Sequence, residues 1–353
     1  MAIPKGTVQT VLGEKSADEL GKVLTHEHLA LSFNTFYVPP PDHLDRFLYD
    51  KIEIQNLGVL RQYPYSSKYN LKFNDNDTFN AVLEDVKLFR EFGGGTIVEN
   101  SNYGLERDIP LMRKISRETG VNIIAGTGYY VAATQSTHAL LNYSIEDMYY
   151  MMWGEMTQGC IVVPGVKTGF IGEVGSNWPI EEFEKRAIQA TGKLQSELKC
   201  PVSFHPGRDP AAPAEIMRIY QEAGGDSRKA IMSHMDRTIT DEQKLLEFAD
   251  ETKCYCQFDL FGLECSFYQL SPKIDMLSDA QRIDRVKILR DDGKLDRVLL
   301  SHDIHTKHRL MKFGGHGYSH ILNNVLPHMM LKGFTQQEVD TLTIQNPKNW
   351  LCY

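Results

Sequence analysis

Eight short apolar runs with strand character recur along the chain, most followed by a stretch of helical spacing, and this alternation constrains the fold more than any other feature. The runs are GKVLTHEHLAL, GGTIVENS, GVNIIAGTGYY, TGFIGEVGS, CPVSFHPG, KAIMSHMD, CYCQFDLFG and DRVLLSHDIH. Between them, NAVLEDVKLFREFGG, IPLMRKISRETG, EEFEKRAIQATGKLQSELK and AEIMRIYQEAGG return apolar residues at i, i+3 and i+4, the period of an amphipathic helix. Several such stretches end in glycine, as helix C-termini often do. Alternating strands and helices build parallel βα units, and eight units close into a (β/α)8 TIM barrel of the α/β class. An open doubly wound sheet is the competing topology, but the Gly-x-Gly-x-x-Gly phosphate turn that usually opens one is absent. Residues 35–78, rich in Pro, Tyr and Asp, break the rhythm directly after the first strand and are expected to form a long insertion walling the catalytic face. The expectation is one domain over residues 1–353.

A chain that is 42% hydrophobic can bury a large core, and a net charge of −8 argues against a nucleic-acid or anionic-membrane surface. No apolar run approaches the roughly 18 residues of a membrane span, and MAIPKGTVQTVLG has no apolar stretch of the signal-peptide kind. Cys160, Cys200, Cys254, Cys256, Cys265 and Cys352 are too sparse for a disulfide framework, and no second pair stands ready to complete a thiolate metal site with Cys254 and Cys256. A cytoplasmic location is expected.

In barrels of this kind the active site lies at the C-terminal ends of the strands. The first strand ends in His26 and His28, which share a face at i and i+2. An isolated His-x-His is most often a pair of hydrogen-bonded core residues, so the other strand ends decide. The fourth ends in Glu173, the fifth in His205, the sixth in His234 and the eighth in Asp303. Four imidazoles and two carboxylates suit two divalent metal ions, one held mainly by the paired histidines and one by the separated pair, with a carboxylate bridging. Zn²⁺ matches this donor set best, and Mn²⁺, Co²⁺ and Fe²⁺ could occupy it.

This pattern resembles the amidohydrolase superfamily, and within it the phosphotriesterase family, over nearly the whole chain from VLTHEHL to IQNPKNWL. The segments FIGEVGSNWPI, FHPGRDPAAP and LLSHDIHTKHRLMKFGGHGYSHILNNVLPHM are similar, more narrowly, to phosphotriesterase-related proteins of animals. The resemblance implies a binuclear barrel hydrolase in which Glu173 stands where bacterial phosphotriesterases carry a carboxylated lysine. Lys167 is the only lysine nearby. It also implies hydrolysis of N-acyl amino-sulfonates, with N-acetyltaurine foremost, and so a small anionic N-acyl substrate.

Two ions sharing a water would lower its pKa toward neutrality, and Asp303 is placed as the catalytic group that takes its proton and hands it to the departing amine. A sulfonate needs a cation, and Arg208, three residues after His205, is the first candidate, with a surface pair to Asp209 as the alternative. Asn100, Tyr130, Trp178 and His305 are further candidates for the substrate pocket. His302, Lys307, His308 and Arg309 read as the start of a basic helix, and GGHGYSH beyond them as a flexible loop. The same centre could serve a lactone or phosphotriester. A non-catalytic binding protein is the third reading, and the complete ligand set counts against it.

Overall fold

A computed structural model describes residues 6–48, 51–135, 138–266 and 268–353. Its eight-stranded sheet consists of β1 (Lys22–Glu27), β2 (Gly94–Glu99), β3 (Asn122–Thr127), β4 (Phe170–Gly175), β5 (Val202–His205), β6 (Ala230–Met232), β7 (Tyr255–Phe258) and β8 (Val298–Leu300). Each strand pairs in parallel with its neighbours in sequence. The helices α1 (Asn76–Glu91), α2 (Ile109–Thr119), α3 (Ile145–Thr157), α4 (Glu182–Leu198), α5 (Ala212–Glu222), α6 (Glu242–Thr252) and α7 (Asp279–Asp291) connect them. Side-chain oxygens of Asp75, Asp108, Ser144, Asp241 and Ser278 accept from the first-turn N–H groups of five of these helices, which is why each starts where it does.

The ring closes between β8 and β1 through side chains as well as backbone. The Ser301 hydroxyl accepts from the His26 N–H at 2.9 Å and lies 2.7 Å from the His26 carbonyl, and the Asp303 N–H donates to that carbonyl at 3.0 Å. Two apolar layers result from strand alternation. Val23, Val98, Ile124, Phe170, Ile231 and Leu299 fill the barrel interior. Leu24, Ile97, Ile123, Ile171, Met232 and Leu300 join the larger core under the helices. At β2 only glycine fits, because a Cβ on Gly95 would lie 2.2 Å from the Leu20 carbonyl oxygen.

The barrel floor carries an element that the sequence pattern did not announce. Thr7–Thr10 and Gly13–Ser16 form an antiparallel hairpin, and its Val8 enters the interior cluster beside Trp350. The Trp350 indole donates to the Val202 and Lys229 carbonyls, sealing the end away from the site. Near the β3 end, Glu155 of α3 is buried and accepts from Arg107, Tyr103 and Thr127. The expected insertion holds short helices, the longest Ile54–Gln62, and is anchored where Leu31–Ser32 pairs with Lys72–Phe73. Among the described residues no helix is long and apolar enough to cross a membrane.

Candidate metal centre

Strict alternation along β1 would not put histidines at this site. Val23 faces the interior and Leu24 the outer core, so position 26 should face outward. The pairing of β1 with β2 shifts register between Leu24 and Glu27, and this irregularity turns His26 and His28 inward together. A second shift, between Ile171 and Val174 of β4, aims Glu173 at the same point. Lys167 precedes Phe170, the first residue of β4, so it lies toward the opposite end of that strand.

All six sequence candidates for metal ligation meet here. The His28 Nε2 atom lies 3.4 Å from Glu173 Oε1 and 3.2 Å from Asp303 Oδ1. His26 Nε2 lies 3.5 Å from Glu173 Oε2 and 3.7 Å from the same Asp303 oxygen. On the other side, His205 Nδ1 is 3.0 Å from Glu173 Oε2 and 2.8 Å from His234 Nε2. Glu173 therefore reaches both histidine pairs. His26, His28 and Asp303 form one group with ligand atoms within 4.8 Å of one another, and Glu173, His205 and His234 another.

The donors fit divalent ions. A tetrahedral ion with bonds of about 2.0–2.1 Å separates its ligand atoms by roughly 3.3 Å, close to the spacings of the first group. His26 Nε2 is buried and has no hydrogen-bond partner, which is costly unless something positive meets its lone pair. Burial disfavours charge on His26, but the Glu173 and Asp259 carboxylates outweigh it and hold the ring well above the usual imidazole range. His28 is likewise raised to about 9 against the penalty of burial, by hydrogen bonds to Asp303 and Glu173. His205 goes the other way, pushed down to about 3 by burial and by the neighbouring His234. Glu173 and Asp303 are also buried, yet the imidazoles keep both well below the ordinary carboxylate range. The two carboxylates stay ionised, and without a metal the positive charge they call for is supplied by protons on His26 and His28, which a divalent ion would displace.

A surrounding layer fixes the rings. Asp259, directly after β7, accepts from His234 Nδ1 at 2.7 Å and from His26 Nδ1 at 3.0 Å. His28 Nδ1 meets the Ser101 hydroxyl at 2.9 Å, and that hydroxyl donates to Glu99 at 2.7 Å. Burial pushes Glu99 up to about 7. Each partner leaves Nε2 of its histidine free to ligate. Replacing Asp259 by Ala releases two rings at once, so the variant is expected to bind metal about 10–100-fold more weakly in equilibrium dialysis. Unchanged affinity would show that packing alone orients His26 and His234.

Above the donors lies a narrow pocket bounded by Phe33, Tyr65, Tyr130, Arg208, Tyr268 and His305. Tyr130 is where the sequence placed it, its hydroxyl 3.3 Å from the His205 ring nitrogens. His305 also reaches the site, with Nδ1 3.2 Å from Asp303 Oδ1 and Nε2 3.2 Å from the Tyr65 hydroxyl. Arg208 points into the pocket and donates from Nε and Nη2 to the Tyr268 hydroxyl at 3.1 and 3.0 Å. Asp209 does not hold it; that carboxylate caps the Ala211 N–H instead.

Two expectations fail. Asn100 is fully buried and spends its amide on the Thr25 and Val98 carbonyls, tying β1 to β2 rather than meeting a substrate. Trp178 is 40% exposed and does not line the pocket. The basic run after β8 is no exposed helix either. Lys307, His308 and Arg309 form one buried turn, in which Lys307 pairs with Asp75 and Arg309 donates to the His302, Asp303 and Phe261 carbonyls. The glycine-rich loop beyond is tied down, with the Gly315 and Gly317 N–H groups donating to Leu310 and Arg309. The sequence reading also passed over Asp259, Tyr65, Tyr268 and Arg237, the last bounding the same pocket.

The phosphotriesterase family model matches residues 6–351. A phosphotriesterase-related protein of Aedes aegypti is 53% identical over 351 residues, covering 98% of each chain. Among solved structures, a resiniferatoxin-binding protein from Rhodobacter sphaeroides is similar at TM-score 0.93 and 28% identity, covering 99% of this chain and 96% of its own. A phosphotriesterase homology protein from Escherichia coli, solved with phosphate in its active site, is similar at TM-score 0.75 and 25% identity, covering 95% of this chain and 99% of its own.

Proposed function

The chain belongs to the phosphotriesterase family of metal-dependent hydrolases, and from that premise we propose that it cleaves the amide bond of small N-acyl amino-sulfonates, N-acetyltaurine before others. The observation that carries this reading is Arg208, a half-buried guanidinium that, among the described residues, bonds to a phenol and to no carboxylate, and that lines a pocket whose floor is the set of metal-ligand candidates. A phosphotriester or simple lactone would bring no anion to it. An N-acyl taurine brings a permanent one.

His26, His28 and Asp303 would hold one divalent ion, His205 and His234 the other, and Glu173 both; Zn²⁺ suits the set. Such ions, when bound, polarise an acyl carbonyl and make water nucleophilic at neutral pH. Asp303 Oδ1 then receives the water's proton and passes it to the amine nitrogen as the C–N bond breaks, which is needed because an amide anion is a very poor leaving group. His305, with Nδ1 3.2 Å from Asp303 Oδ1, orients that carboxylate. Tyr130 and Tyr65 wall the acyl end and exclude bulk water.

The test is taurine release from N-acetyltaurine by purified protein, with metal content measured before and after chelation. About two ions per chain and chelator-sensitive release support the reading. Full metal with no release discards the substrate and keeps the hydrolase. Arg208→Ala is expected to raise KM for the anionic substrate about tenfold or more, because a hydrogen bond to a charged group contributes roughly 1.5–3 kcal/mol. Equal loss on an uncharged N-acyl analogue would remove Arg208 from substrate recognition.

A further inference from the structure

The interior guanidiniums of Arg107, Arg282 and Arg309 are compensated. Arg107 meets Glu155, and Arg282 meets Asp236 at 3.0 Å and Asp279 at 2.8 Å. Arg309 has three main-chain carbonyls. Arg208 and Arg237 have neither a carboxylate partner nor a set of three carbonyls among the described residues, and both bound the pocket above the metal-ligand candidates. Arg208 donates to the Tyr268 hydroxyl. Arg237, 2% exposed, donates to the Pro206 carbonyl at 3.1 Å and the Thr238 hydroxyl at 3.2 Å, and its Nη2 lies 3.4 Å from His205 Nε2. Neither forms an ion pair with any carboxylate among the described residues. They also lie close enough for the Arg208 charge to act on Arg237. Like charges held together in a pocket partly shielded from water repel, and each is left without a counter-ion.

We propose that Arg208 and Arg237 form one oxyanion subsite whose counter-ion is the substrate's own sulfonate or carboxylate. This deepens the reading above by defining the substrate class as monoanionic at the end remote from the acyl group. The subsite is a store of unfavourable charge that ligand binding relieves. Each arginine stands three residues after a metal-ligand candidate, Arg208 in the loop after His205 and Arg237 in the one-turn helix Met235–Thr238 after His234, and both line the pocket with those histidines. The phenols of Tyr65, Tyr130 and Tyr268 line the same pocket and offer hydrogen-bond donors to an oxyanion.

The deciding experiment measures the thermal midpoint of the metal-loaded protein in sodium methanesulfonate against sodium chloride at equal ionic strength. Wild type should gain several degrees in methanesulfonate. Arg208→Met and Arg237→Met should each lose that gain, and Arg208→Met without anion should be at least as stable as wild type because one of two repelling charges is gone. Arg237→Lys should keep part of the gain, since the charge remains. Both Met variants destabilised, with the methanesulfonate gain intact, would overturn the proposal and make the arginines structural. Absence of the gain in wild type would overturn it as well. Failure of wild type to release taurine rejects the amide reading alone, because the midpoint shift judges the subsite without any turnover. A kcat/KM series over sulfonate, carboxylate and carboxamide forms of one N-acyl substrate then separates the anions: sulfonate and carboxylate both favoured over carboxamide supports the subsite, and no preference rejects it.

Discussion

Glu173→Ala is expected to empty both halves of the metal centre and lower hydrolysis by about a thousandfold or more, a loss of roughly 4 kcal/mol in transition-state stabilisation. The reason is its reach. Its two oxygens lie within 3.0–3.8 Å of donor nitrogens on all four histidines, so no other residue can replace it at both positions. Without it, His205 and His234 keep only each other, and two imidazoles are too few for tight binding of a divalent ion. His26 and His28 keep Asp303 and could retain one ion weakly. Elemental analysis after gel filtration checks this directly: the variant should carry fewer than one ion per chain. Two ions retained would show that the bridging role has been misassigned. Lys167→Ala is the matched control, expected to keep full metal because Lys167 lies toward the other end of β4.

The second large effect concerns stability. Glu155→Ala is expected to cost about 3–5 kcal/mol in urea-induced unfolding, since it strands a buried guanidinium. Arg107 is 8% exposed at its side chain and Glu155 3%, and the carboxylate also accepts from the Tyr103 hydroxyl at 2.9 Å and Thr127 at 2.6 Å. Burial raises the Glu155 pKa, but the Arg107 charge and these hydrogen bonds outweigh it and leave it lowered. A lowered folded pKa contributes stability that is fully present above the unfolded value, about 4.3, and is lost as pH falls through the folded value. The gap between wild type and variant should therefore be widest near neutrality and close in acid. A gap that stayed constant down to pH 2 would assign the loss to packing rather than charge.

The barrel was legible because its signal repeats: eight apolar runs, each ending in glycine, a polar cluster or a ligand, cannot easily be explained otherwise. The six candidate ligands were legible for the same reason, each sitting at an equivalent strand end, and the structure brings them together. What hid the others is instructive. Asp259 follows β7 in CYCQFDLFG, an equivalent position, yet it binds imidazoles rather than completing the donor set, and nothing in a sequence marks that difference. Arg237 left a readable trace, because HPGR and HMDR repeat the same His-to-Arg spacing on consecutive strands. Asn100 misled because a polar residue at a strand end can turn back on the backbone as easily as outward, and the choice rests on carbonyls contributed by β1. The hairpin at the floor was missed since four-residue strands carry too little periodicity to stand out. The reversal of face in β1 could not be foreseen from alternation, which it violates.

The seam between β8 and β1 gives the molecule a clasp. The His26 carbonyl accepts the Asp303 N–H, and both residues carry side chains of the same donor group. Fastening the ring and assembling that group are consequently one event. Every other junction in the barrel is a ladder between neighbours in sequence, formed with short loop closure; this one joins residues separated by most of the chain and has the largest entropy to overcome. Cation occupancy should thus act where the circle opens first, slowing its opening and protecting the amides of His26 and Asp303 from solvent exchange more than those of the mid-barrel strands.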